Sequence, residues 1–230
     1  MTKIACHPSD EMLASYAAGE IDGGLAVMIS AHLEFCPHCR AKLAKYEEQY
    51  ATQAFVSAAP DNHGDVNLDD MLEQIMANDS IPEKSVESLL NAPADTHIEV
   101  ASQQFTLPQI LQGQQQKIGP WSRLPGKIQR AKVSSASSSK MNLIYMDESS
   151  ALPEHTHQGN EITLVLAGSF SDEAGTYHPG DFVIQDSQHR HSPRTEAGKD
   201  CLCLTLLDAP LHFTSGFASL LNPFSQLFFR

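Results

Sequence analysis

No stretch of this 230-residue chain approaches the roughly 18 to 20 consecutive apolar residues that a helical bilayer crossing needs. Its opening, MTKIACHPSDEM, also lacks the basic and apolar regions of a secretory signal, so a cytoplasmic protein is expected. Cysteine is sparse and odd in number: Cys6, Cys36, Cys39, Cys201 and Cys203 do not form a secreted disulfide framework, and a reducing compartment makes them ligands or sensors. Positive charge is scarce too, with 15 Lys+Arg against 28 Asp+Glu. The deficit is concentrated in residues 1–97, which hold 5 basic and 16 acidic side chains, against 10 and 12 in the remainder. A surface of this sign repels phosphate backbones and excludes direct nucleic-acid binding. It either keeps the chain in solution or steers it toward a basic protein, including one that itself binds DNA.

The length suits two domains, and the pattern changes along the chain. Ser9 or Asp10 can cap a first helix with Met12, Leu13, Tyr16 and Ala17 on its apolar face, closed by Gly19. A second runs from Leu25 through Met28, Ile29, His32 and Leu33, and Pro37 opens a third that reaches about Val56. Asp65 is placed to cap a fourth over 66–79, with Leu68, Met71, Leu72, Ile75 and Met76 on one side and acids on the other. That stripe either folds back into the first three helices or waits for a partner. Pro82 and Pro93 bracket a linker. Beyond it, short β-rich runs over 97–107, 128–134, 140–147, 161–170, 181–186 and 201–207 suggest a small barrel or sandwich. The final segment, 215–229, reads as an apolar patch packed on the strands.

Two clusters carry chemistry. Cys36 and Cys39, in Cys-x2-Cys spacing, let two thiolates reach one ion from a turn entering a helix, and His32 stands one helical turn earlier. His7 is the natural fourth ligand, with Cys6 and His38 as rivals; a redox pair is the other reading of the two thiols. The pattern H-x24-H-x3-C-x2-C resembles the zinc-binding anti-sigma domain. That resemblance implies a three-helix bundle with a fourth helix, wrapped around an alternative sigma factor, and zinc held for folding and not for chemistry. The stripe Leu68, Met71, Leu72 and Ile75 would then be sigma-binding.

In the strand-rich half His155 and His157 share one strand face, Glu161 enters the next strand, and a later His completes three imidazoles and a carboxylate. This spacing resembles the first motif of the cupin family, and counting from Pro179-Gly180-Asp181 brings the second motif's histidine to His191, with His189 as a rival. The match departs from the family at Asp186, Gln188 and Thr195, and at Ser149, where a glycine is usual. Zinc or another divalent metal is expected there. Cys201 and Cys203, two apart on one strand near this site, are either buried thiols filling the barrel or oxidisable sensors; a disulfide between them needs local distortion, since their Cα atoms stand roughly 6.5 to 7 Å apart.

A zinc anti-sigma domain followed by a cupin resembles the ChrR family of anti-sigma factors along essentially the whole chain. The expectation is an α+β protein in two domains: a zinc-stabilised helical bundle at 1–90, a linker at 91–105, and a small cupin-type β-barrel at 106–230. The resemblance implies a regulator, not an enzyme. It would hold an extracytoplasmic-function (group IV) sigma factor in a one-to-one complex and release it on oxidative stress such as singlet oxygen or organic peroxide. The alternatives are a metal-dependent cupin dioxygenase or isomerase using the helices to oligomerise, and a metal-responsive store.

Overall fold

The computed structural model describes residues 3–57, 67–77, 96–112, 115–135 and 137–214. The linker bracketed by Pro82 and Pro93 and the terminal segment 215–229 lie outside the described residues.

Three helices open the chain. Helix α1 (Asp10–Ala18) starts at Ser9, whose side chain accepts from the Met12 amide, and stops at Gly19, where φ is 72°. The left-handed cap lets the Gly19 amide turn back to the carbonyls of Ser15 and Tyr16, satisfying groups the helix end would leave bare. Helix α2 (Gly23–Phe35) is capped by Asp22, which accepts from the amides of Gly24 and Leu25. Cys36 ends α2, and Pro37 begins α3 (Pro37–Ser57). Arg40 of α3 reaches back to the carbonyls of Leu33 (2.5 Å) and Glu34 (3.2 Å), fixing the corner between the two helices.

Helix α4 (Leu68–Met76) is shorter than expected and is capped by Asn67, whose side chain accepts from Asp69 and Asp70; Asp65 lies outside the described residues. None of its residues is buried, and Leu68, Leu72, Ile75 and Met76 are more than half exposed. Folding back into the first three helices is therefore not what the described residues do.

The second half is antiparallel β. A hairpin of β1 (His97–Val100) and β2 (Gln103–Thr106) comes first, followed by β3 (Ser122–Leu124), β4 (Ile128–Val133), β5 (Lys140–Met146) and β6 (His155–His157). Then come β7 (Glu161–Gly168), β8 (Phe170–Ser171), β9 (Thr176–Tyr177), β10 (Phe182–Gln185), β11 (Cys201–Leu207) and β12 (Leu211–Phe213). The hairpin buries Ile98, Val100 and Phe105, so ordered structure starts inside the stretch 91–105 assigned to a linker. Six strands form one sheet in the order β10-β7-β11-β5-β4-β3, and β12 pairs with β6 in a separate two-stranded sheet. A register shift between Leu202 and Cys203 on the β7 side bends the large sheet, as a bulge does.

Every residue of β11 is buried, because the strand is covered on both faces. Leu202, Leu204 and Leu206 join a cluster with Leu13, Met28 and Ile29 of the helices, while Cys201 and Cys203 pack with Val165 and Val183 inside the barrel. Helix α2 approaches this sheet so closely that a Cβ on Gly24 would stand 2.9 Å from Leu206 Cδ1. The helical unit thus shares a core with the outer face of the barrel's large sheet. No helix among the described residues is long and apolar enough to cross a membrane.

Candidate metal centres

The helical site forms where three local geometries meet. The turn between α2 and α3 puts Cys36 at the end of one helix and Cys39 in the first turn of the next, and the Cys39 amide donates to Cys36 Sγ at 3.4 Å. Nδ1 of His7 lies 3.4 Å from both sulfurs. His32, fully buried, donates from Nδ1 to the carbonyl of Gly180 at 2.8 Å. That bond leaves Nε2 as the free lone pair, and Nε2 is a buried atom with no hydrogen-bond partner. One ligand atom from each of His7, His32, Cys36 and Cys39 falls within 4.8 Å of the other three.

Neither rival joins this group of four. His38 is exposed, and Cys6 packs toward the barrel interior while its backbone bonds to Phe182.

Burial pushes the Cys39 thiol up to about 12, helped by Cys36, and holds the His32 imidazole down to about 4. Two thiols and two neutral imidazoles, one with an orphaned nitrogen, are a donor set that a soft divalent cation completes: its charge lets the Cys39 thiol ionise where burial alone opposes it.

The barrel site draws on β6, β7 and the loop before β11. His191 Nε2 lies 2.9 Å from His155 Nε2 and 3.1 Å from His157 Nε2, and Glu161 Oε2 is 3.1 Å from His157 Nε2. These four also fall within 4.8 Å of one another. His155 donates from Nδ1 to the Pro153 carbonyl at 2.9 Å, which turns its Nε2 lone pair inward. His191 Nδ1 faces Asp172 Oδ2 at 3.3 Å, with the Gln185 amide 2.8 Å away. Such outer partners hold a ligand's tautomer and orientation.

Burial lowers His155 to about 3 and His157 to about 4, and raises Glu161 to about 7. Three imidazole nitrogens and one carboxylate oxygen converging on one point are a donor set that fits a divalent ion. His189 pairs instead with Asp186 at the surface, 2.8 Å away, and stays outside the cluster.

The departures from the cupin pattern have structural answers. Ser149 takes φ 52°, a left-handed conformation that explains why glycine is usual there. Thr195 is buried and accepts from the Ser150 amide at 3.0 Å, so its hydroxyl closes the loop. Beside the four ligands lies a cavity of about 90 Å³ lined by Arg130, Asn142, Thr163, Gln185, Cys203 and Thr205 among others. Cys201 and Cys203 are free and buried, with sulfurs 3.4 Å apart.

Residues 113–209 match the family model of the ChrR cupin-like domain, and residues 6–40 match a zinc-finger family model. The chain is similar to the ChrR type in both matched regions. It is 29% identical over 224 residues to the anti-sigma-E factor ChrR of Cereibacter sphaeroides, covering 97% of this chain and 99% of that relative. The crystal structure of Rhodobacter sphaeroides SigE in complex with the anti-sigma ChrR matches with a TM-score of 0.65 and 26% identity, over 90% of this chain and 100% of that one.

The structure brings together, in two groups of four, all eight residues that the sequence names as candidate ligands. Sequence reasoning misses Gly180, Asp181, Asp172 and Gln185 as the residues that hold them from outside.

Proposed function

We propose that this chain is an anti-sigma factor of the cytoplasm that binds an extracytoplasmic-function sigma factor one-to-one and keeps it from RNA polymerase. On this reading residues 1–90 hold sigma, 91–105 connect, and 106–230 sense. The observation that carries it is the likeness, along nearly the whole of both chains, to a ChrR whose structure was solved with SigE.

The unpartnered face of α4 supports it. Leu68, Met71, Leu72 and Ile75 are apolar anchors in solvent, flanked by Asp69, Asp70 and Glu73, and this combination suits a basic surface with an apolar groove. Zinc at His7, His32, Cys36 and Cys39 would hold the angle between α2 and α3 and contribute folding energy. A divalent ion at His155, His157, Glu161 and His191 would complete the sensing half.

The inducing signal on this reading is singlet oxygen or an organic hydroperoxide. With the hydroperoxide, Cys201 and Cys203 lose two electrons and two protons to become a disulfide, and the peroxide O–O bond breaks to give an alcohol and water. Their 3.4 Å sulfur separation supports this step. The three imidazoles and one carboxylate also favour a second reading, a cupin oxygenase or isomerase. The cavity of about 90 Å³, against the roughly 300 to 1,000 Å³ of small-molecule sites, speaks for the regulator.

The test is co-expression of the full chain with each sigma factor of its own genome, followed by affinity capture. One sigma factor should co-purify in equal amount and leave on treatment with oxidant. Capture of none, from a metal-loaded and folded chain, overturns the proposal. A Cys201→Ser, Cys203→Ser double variant that still releases sigma under hydroperoxide removes the thiol step alone.

A further inference from the structure

The two proposed ion sites lie in different units, yet one ligand of the helical site is held by the barrel. His32 Nδ1 donates to Gly180 O, 148 residues away in sequence, at 2.8 Å. The next residue, Asp181, is buried and its carboxylate is fully occupied by backbone: Oδ1 accepts from the amides of Ala5 (2.7 Å) and Cys6 (3.0 Å), and Oδ2 from that of His178 (2.8 Å). The Phe182 amide then donates to the carbonyl of Cys6 at 3.0 Å, and its ring packs edge-on against His32. Residues 5 and 6, immediately before His7, are therefore pinned to the barrel at three points.

We propose that the Gly180–Phe182 turn of the barrel positions the helical ion site, with Asp181 as the anchor of the segment that carries His7. The inference rests on reading His7, His32, Cys36 and Cys39 as an ion site.

Steric fit supports it. Gly180 has φ 95°, and a Cβ there would stand 2.6 Å from Ile4 Cδ1 and 2.8 Å from Phe35 Cβ, so the turn is pressed against both the opening segment and the end of α2. Its other side is tied into the sheet, because Gly180 donates to Val165 O (2.9 Å) and Val165 donates to Asp181 O (3.2 Å). The strand that leaves this turn, β10, ends at Gln185, whose amide touches His191 and pairs with Asp172. One short strand thus has the helical site at its first residue and the barrel site at its last. A change in the barrel that shifts β10 acts on both His32 and the His7 segment.

The experiment uses the full chain loaded with cobalt(II), whose thiolate-to-metal absorption reports only the site that contains Cys36 and Cys39. Excess EDTA is added and the band's decay followed. Loss of a group that orients a ligand costs about 10–100-fold in metal affinity, and with association unchanged that loss appears in release, so Asp181→Ala should lose the band about tenfold faster than the parent. Asp181→Asn, which keeps one acceptor oxygen, should fall between. Equal decay in all three proteins overturns the anchor, whereas a parent that never develops the band overturns the ion-site reading beneath it.

Should Asp181→Ala fail to fold, hydrogen exchange on the parent decides the matter. The amides of Ala5 and Cys6 should exchange as slowly as that of Phe182, and exchange at free-chain rates overturns the proposal.

Discussion

Three imidazole nitrogens and a carboxylate oxygen crowded as in the barrel are a set of donor atoms that burial keeps from taking on positive charge. Burial keeps His155 at about 3 and His157 at about 4, lowers His191 in the same way, and holds His32 at about 4 in the helical site. In the metal-free protein each of these groups binds its proton more weakly folded than unfolded. Their contribution to stability is complete above about pH 6.5 and is lost as pH falls from there toward 4. Glu161 opposes them: raised to about 7, it favours the folded state at low pH and loses that contribution between about 4.5 and 7. Four histidines outweigh one carboxyl, so the urea midpoint of the chelator-stripped protein should be lower at pH 5 than at pH 7. A midpoint that does not move between those values contradicts the burial that the structure assigns to these rings. In the loaded protein, Cys36→Ala and His155→Ala should each lose one metal equivalent and retain the other by elemental analysis.

Secondary elements explain which parts of this arrangement are written locally. His32, Cys36 and Cys39 span two turns of helix, and His155 and His157 share a strand face, so a spacing of 3.6 or 2 brings each set together without knowledge of the fold. The same periodicities give the ends of α1 and the runs that form β5, β7, β10 and β11. Strands of two or three residues, such as β3, β8, β9 and β12, are too short to show a period and escape a reading of the sequence. Gly180 under His32 and Asp181 under Ala5 are contacts between distant segments, and no local pattern announces them.

Helix α4 is the opposite case, legible as an amphipathic stripe yet packed on nothing among the described residues. Leu72→Asp or Ile75→Asp should therefore leave the melting temperature of the free protein within about 1 °C, in line with the small effect of surface changes, and abolish sigma capture. A large fall in melting temperature would mean that α4 docks in the free protein. Gly24 on α2 predicts the reverse, because a side chain there meets Leu206 and Ser137: Gly24→Val should cost about 1–3 kcal/mol in urea unfolding.

The whole molecule is an α+β protein whose helices share a core with one face of the large sheet, while a second cluster fills the barrel on the other face. Leu13, Met28 and Ile29 of the helices pack with Leu164, Leu202 and Leu204 of the large sheet in one buried cluster, and segment 5–6 is bonded to the start of the sheet's edge strand β10. Two units that share their apolar contacts cannot unfold one at a time without exposing the face between them. The chain offers a clean pair of probes for this. Far-UV circular dichroism follows the helices, and fluorescence follows Trp121, the only tryptophan, which packs against the shared cluster from the barrel side.

Both signals should change together in urea, with one midpoint and one slope. In Met28→Ala, which opens a cavity between the units at a cost of about 2–5 kcal/mol, both midpoints should fall by the same amount. Helices that melt before Trp121 responds would show two independent domains joined by a linker, and would leave the barrel no route through the core by which to act on the helical site.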